Sequence, residues 1–146
     1  MYANQAHNQY RQSQVQATPE RLLVTLYDGL LRFLRQGANA MKQRDLETQS
    51  LCITKAQRIL LELDRTLDHE AGGEVAAKLD SIYRYCLDRL TYANHQDDLP
   101  AMHEVLEQMT TLRGAWAEAE RIVRKQRAAG IQTQPAGQRT GLSASA

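Results

Sequence analysis

Cysteine, proline and aromatic residues are all scarce in this chain of 146 residues, and each scarcity excludes a class of protein. Cys52 and Cys86 are the only cysteines, too few and too far apart for a disulfide scaffold or a zinc site. Aromatics make up 5% of the residues and glycine numbers 8, a poor match to a sandwich or barrel. The three prolines, Pro19, Pro100 and Pro135, all suit the edges of elements. No apolar run approaches the roughly 20 residues a bilayer span requires, and no signal-peptide core follows Met1. A charge excess of one sign is missing as well: 18 Lys plus Arg stand against 17 Asp plus Glu, a net charge of +1. A protein built to grip nucleic-acid phosphates needs a clear basic surplus. The remaining expectation is one soluble, reduced, helical domain that neither binds nucleic acid nor inserts into a membrane.

The charges that are present divide the chain. All 17 acidic residues fall between Glu20 and Glu120. Residues 1–17 are rich in Gln, Asn and Ala, with Arg11 as the single full charge, and read as an N-terminal arm that Tyr2, Tyr10 and Val15 equip for docking. Residues 130–146 hold too little apolar surface to offset their ordering entropy and read as a disordered C-terminal tail. Residues 18–129 are left as the folded unit.

Within that unit the hydrophobic rhythm is helical. Thr18 is a cap, Pro19 suits the first turn and Glu20 the positive helix end; Leu22, Leu23, Leu26, Leu30, Phe33, Leu34 and Met41 then form one stripe. Asp45 caps a second helix with Leu46, Ile53, Ala56, Leu60, Leu63 and Leu67 on its face. Gly72 and Gly73 break the chain, and a third helix carries Val75, Leu79, Ile82, Cys86, Leu90 and Ala93. Asp97 or Asp98 caps a fourth, where Met102, Val105, Leu106, Met109, Leu112, Trp116, Ala119 and Val123 come close to a heptad rhythm. Trp116 and Gly114 read as core and close-packing positions. Four helices joined by short turns predict an all-α, antiparallel up-down four-helix bundle.

Several helices carry more apolar width than one seam needs. Tyr83 and Leu87 widen the third stripe, Tyr27 and Leu31 the first, and Ile59 the second, while Leu51 and Leu61 lie well outside it. Tyr85 and Tyr92 make a separate ridge on the other flank of the third helix. Irregular packing explains such flanks in the ordinary way. An apolar groove for a partner helix explains them more sharply.

Catalytic patterns are missing. None of the four histidines, His7, His69, His95 and His103, has Glu or Asp three residues before it, so the di-iron pattern of helical bundles is not met. No helical histidine sits in a phosphotransfer neighbourhood, and no nucleophile elbow or phosphate-cradling glycine loop occurs. The basic end of the fourth helix, Arg121, Arg124, Lys125 and Arg127, suits the helix dipole. Neither an enzyme nor a cofactor is expected.

Taken in order, Met1-Tyr2, Tyr10, Thr18-Pro19, Leu26-Tyr27-Asp28-Gly29 and Lys55-Ala56-Gln57-Arg58-Ile59 with Glu62-Leu63 form a recognisable series. Leu67-Asp68, Gly72-Gly73-Glu74, Leu79 with Tyr83, Arg89-Leu90, Ala93-Asn94, Asp98 and Ala115-Trp116 continue it. From residue 1 to about 127 the chain resembles the flagellin export chaperone family, FliS. That resemblance implies a cytoplasmic four-helix bundle that binds the C-terminal segment of flagellin, prevents its early polymerisation and delivers it to the flagellar type III export apparatus. It also implies the anti-sigma factor, the filament-cap protein and the export-gate protein as further partners. The residues expected at the partner surface are Tyr10, Tyr27, Leu31, Ile59, Leu63, Ile82, Tyr83 and Leu87, with Tyr10 docking the arm over the groove. A self-associating structural bundle or adaptor, its flanks forming a homodimer interface, is the alternative from another class.

Overall fold

Each helix begins at a residue whose side chain accepts an otherwise unpaired backbone amide. Thr18 Oγ1 accepts from the Arg21 N–H at 3.2 Å, and Asp45 Oδ1 from that of Thr48 at 3.2 Å. Asp68 Oδ1 accepts from Glu70 and Ala71 at 3.1 and 3.0 Å, and Asp98 Oδ1 from Ala101 at 3.0 Å. Of the two candidate caps for the last helix, Asp98 is therefore the one used. The structure, a computed structural model, describes the backbone of residues 18–145 and the side chains of residues 18–130. Its four helices are α1 (Pro19–Lys42), α2 (Leu46–Arg65), α3 (His69–Gln96) and α4 (Leu99–Ser145), and no strand occurs among the described residues. The arm expected over residues 1–17, with Tyr10, lies outside them.

The helices form a closed ring: α1 packs on α2 and α4, and α3 packs on α2 and α4. Side-chain bonds fix the directions. Gln57 Nε2 donates to Thr91 Oγ1 at 2.9 Å and Gln49 Nε2 to Asn94 Oδ1 at 3.2 Å, so α2 and α3 run antiparallel. Arg113 Nε donates to Asp28 Oδ1 at 2.9 Å and Arg127 Nη2 to Glu20 Oε2 at 3.4 Å, so α1 and α4 do too. Between them lies one core, with Leu30, Leu34, Ile53, Leu60, Leu90, Met102, Val105 and Met109 fully enclosed. Each such side chain contributes on the order of 1.5–3 kcal/mol by leaving water. Cys52 and Cys86 are buried within or beside it, and burial, followed by the nearby Glu104 carboxylate, pushes the Cys86 thiol up to about 12. It behaves as a small hydrophobe rather than a nucleophile.

Four expected interior positions are not interior. Leu22, Leu46 and Val75 are exposed, because each sits near the start of a helical run at an end of the bundle, beyond its neighbours. Gly114 is no close-packing site either, since a Cβ there would meet nothing within 4 Å. The glycine break is real but lies within α3: Gly73 has φ 50° and ψ −122°, which kinks the helix after a first turn capped by Asp68. The α4 backbone stays helical through Ser145, past the boundary expected near residue 129. The last interhelical side-chain bond among the described residues is that of Arg127 to Glu20.

Candidate functional site

The eight residues expected at a partner surface separate into three groups. Tyr27, Leu31, Leu63 and Tyr83 are core: none is more than 4% exposed. They widen their stripes because the bundle interior is wide, so the closed bundle offers a partner none of their surface. Ile59, Ile82 and Leu87 are half-buried at the rim of the core, but in three different grooves. Ile59 lies between α1 and α2, its Cδ1 3.5 Å from the place a Cβ on Gly29 would take. Ile82 lies between α3 and α4, and Leu87 on the α2 side of α3, where its carbonyl accepts from Gln57. Tyr10 is outside the described residues. No single face collects these residues.

Further half-covered apolar side chains gather at one end of the bundle. α2 has 20 residues, against 24 in α1 and 28 in α3. Asp64, one residue from its end, faces Asp80, so α3 before Asp80 has no α2 beside it. The kink at Gly73 turns the first turn of α3 off its axis. Core-facing residues near this end are consequently left half-covered: Leu23 and Leu26 on α1, Leu67 after α2, and Leu112 and Trp116 on α4. Among the described residues the same stripes continue past the point where neighbouring helices cover them, which makes an apolar mouth at one end of the bundle. A side groove of about 470 Å³ runs from Leu112 and Ile82 along α3 and α4, past Glu104, Glu107, Gln108 and Thr111. Its size is that of a ligand or helix-docking cleft.

Below the mouth lies a polar trio. Tyr27 on α1 and Tyr83 on the diagonal helix α3 join hydroxyls at 2.5 Å, and the Trp116 indole Nε1 donates to Tyr27 Oη at 3.2 Å. Burial, then the bond to Tyr83, pushes the Tyr27 phenol far above its usual range, so it stays neutral. Three helices are thereby tied at one point, and the exposed edge of Trp116 is held in a fixed orientation.

Four ion pairs lie near the mouth. Arg113 bonds Asp28, Arg121 bonds Glu118 at 2.6 Å, Arg124 reaches Glu120 at 3.5 Å and Arg127 reaches Glu20. Pairs this exposed contribute little to stability. Among the described residues no cluster of His, Cys, Asp or Glu is arranged to hold a metal ion, and no helix is long and apolar enough to cross a membrane.

The residues at the mouth were legible as apolar but not as exposed. One signal was available, the short second helix between longer neighbours, because a core stripe running past that helix loses its cover from it.

Known proteins are similar to this chain in sequence. A family model described as "Flagellar protein FliS" matches residues 2–123. The flagellar secretion chaperone FliS of Bacillus subtilis is 37% identical over 119 residues, covering 81% of this chain and 88% of that protein. Its namesake from Campylobacter jejuni is 34% identical over 119 residues, with 81% and 93% covered. The flagellar secretion chaperone FliSB of Pseudomonas aeruginosa is 35% identical over 121 residues, with 80% and 96% covered. A four-helix bundle that matches this family model over residues 2–123 and shares this much sequence with these relatives belongs to the FliS family of flagellar secretion chaperones, which are not enzymes.

Proposed function

We propose that this protein is a cytoplasmic export chaperone that binds the C-terminal segment of flagellin, keeps it from polymerising early and hands it to the flagellar type III export apparatus. The observation that carries this reading is the apolar mouth formed by Leu23, Leu26, Leu67, Leu112 and Trp116, with its groove past Ile82. A client that orders on binding gives up conformational entropy, so the chaperone must offer extended apolar area in return. Burying 1,000 Å² of such surface is worth on the order of 25 kcal/mol gross, most of which ordering and association cancel. The remainder suits a complex that must later release. The ion pairs that Arg113, Arg121 and Arg127 make within the chain fit the same need, since those charges are already engaged.

Calorimetric titration with a peptide of the flagellin C-terminal segment is the test. Saturable binding in the micromolar range with a negative heat-capacity change is expected, weakened by Leu112→Gln. No binding at tens of micromolar would refute the assignment. Light scattering on the free protein addresses the other class of function: a salt-insensitive dimer indifferent to the peptide would identify a structural, self-associating bundle.

A further inference from the structure

The outer face of α3 carries a feature that the client site does not use. Tyr85 and Tyr92 are each 46% exposed, and no other aromatic side chain among the described residues is this open. Seven residues apart, they stand on one ridge about 10 Å long. Both rings are held in place. Glu104 of α4 accepts the Tyr85 hydroxyl and, at 3.0 Å, Arg89 Nε, while the Arg89 guanidinium lies over the Tyr92 ring, 5.0 Å from its centre. One carboxylate thus fixes two aromatic side chains, the second through an arginine. Exposed rings that give up little rotamer freedom on contact, with an arginine between them, have the composition of interface anchors.

The charges beside the ridge determine what can lie on it. At about 100° per residue, Asp88 falls about 50° to one side of the line through Tyr85 and Tyr92, and Arg89 about 50° to the other. Asp88 is exposed and has no ion pair among the described residues. Arg89 commits only Nε to Glu104, which leaves its Nη groups without a hydrogen bond there. A ridge negative on one flank and positive on the other is complementary to itself under a two-fold axis parallel to the helix. Each Asp88 then meets Arg89 of the other copy. An antiparallel pairing instead sets Asp88 against Asp88 and Arg89 against Arg89, and is disfavoured.

We propose that α3 packs parallel to α3 of a second copy of this chain through Tyr85, Asp88, Arg89 and Tyr92, forming a two-fold homodimer. Tyr85 stacks on Tyr85 and Tyr92 on Tyr92, with one Asp88–Arg89 pair on each flank. Lys78, one heptad before Tyr85, faces its own copy, so the seam is limited to the two tyrosine levels. One short helix pair buries less than the roughly 1,200 Å² of a standard interface, so the dimer is weak and reversible. Because the two helices run parallel, both apolar mouths open at the same end. None of the mouth residues Leu23, Leu26, Leu67, Leu112 and Trp116 lies in the seam, and the dimer holds whether or not the client assignment does.

Sedimentation velocity on the full chain, from about 10 to 500 µM, is the test. A concentration-dependent dimer is expected at low salt, at least threefold weaker in about 500 mM NaCl. Asp88→Arg, a change at an exposed side chain with no ion pair of its own, should keep the wild-type thermal midpoint and abolish the dimer. Arg89→Asp should abolish it too. Mixed in equal amounts, the two folded variants should dimerise again, because each restores the pair that the other lacks. Tyr92→Ala should weaken the wild-type dimer at least tenfold. Three results overturn the proposal: a monomer throughout the concentration range at low salt, a dimer that Asp88→Arg leaves unchanged, or folded variants that do not pair when mixed. The second would assign self-association to another face.

Discussion

Tyr27 shows how much one side chain is asked to do in this bundle. Its ring is enclosed by the core, and its hydroxyl links Tyr83 and Trp116. Tyr27→Phe keeps the ring but strands the Tyr83 hydroxyl and the indole N–H, so a loss of about 1–3 kcal/mol is expected in denaturant unfolding. Leu34→Ala, which leaves a cavity at a fully buried site, should cost about 2–5 kcal/mol in the same measurement. Asp64 adds a pH dependence. Burial of its carboxyl, then the facing Asp80, raises it above the ordinary aspartate value of 3.8, and its Oδ1 has no partner. Asp80 is held low, by its bond with Asp64 and then by Arg84, which donates to it at 2.9 Å. A raised folded-state value means that Asp64 favours folding when protonated, and that this contribution is lost as pH rises through that value. Asp64→Asn should therefore gain stability relative to wild type as pH rises from about 4 to 7, seen as a growing difference in thermal midpoint. A difference that shrinks over that range would show Asp64 to be ionised and paired throughout.

At the scale of elements, glycines on adjacent helices have opposite roles. Gly73 occupies φ 50°, where a side chain is strained, so Gly73→Ala should destabilise by about 1–2 kcal/mol and disturb the kink beside the mouth. Gly114 lies within α4 with open space around it, so Gly114→Ala should stabilise by about 0.5–1 kcal/mol through helix propensity. Thermal unfolding of the two variants reads both signs directly. The far end of α4 carries Gly130, Pro135 and Gly137, residues that a helix accepts only at a cost. We propose that residues 130–146 stand apart from the folded unit of residues 18–129. A chain ending at residue 129 is then expected to unfold within about 1 °C of the full-length protein. A marked drop in midpoint would place the tail within the folded unit.

For the whole molecule, the decisive fact is that four stripes of unequal length share one core. Where all four overlap, the interior is sealed and the candidate flank residues Tyr27, Leu31, Leu63 and Tyr83 disappear into it. Where α2 stops, the remaining stripes face a gap. Trp116 stands at that gap, so its fluorescence should change when a client segment occupies the mouth. Leu112→Gln is expected to reduce client affinity by roughly tenfold while moving the midpoint little, since Leu112 is already half-exposed. A large stability loss without an affinity change would make Leu112 a packing residue only.

Local chemistry determined much of this protein without reference to anything distant. Thr18, Asp45 and Asp98 start helices because a side-chain oxygen three residues from a free amide needs no tertiary help. The apolar periodicity selects a bundle for a similar reason, since a stripe must be covered by another stripe. Burial of a particular flank is different in kind, because it depends on the width of the interior and on which neighbours reach a given level. Tyr27 and Ile59 both look like edges of a stripe, yet one is enclosed and the other half-covered. The pairing of Gln49 with Asp97 and the meeting of Tyr27 with Tyr83 span 48 and 56 residues of the chain, and no local pattern encodes them. The sequence alone determined the helices, their caps and their apolar faces. Only the tertiary structure decided which parts of those faces stay open, because exposure is set by where neighbouring helices end.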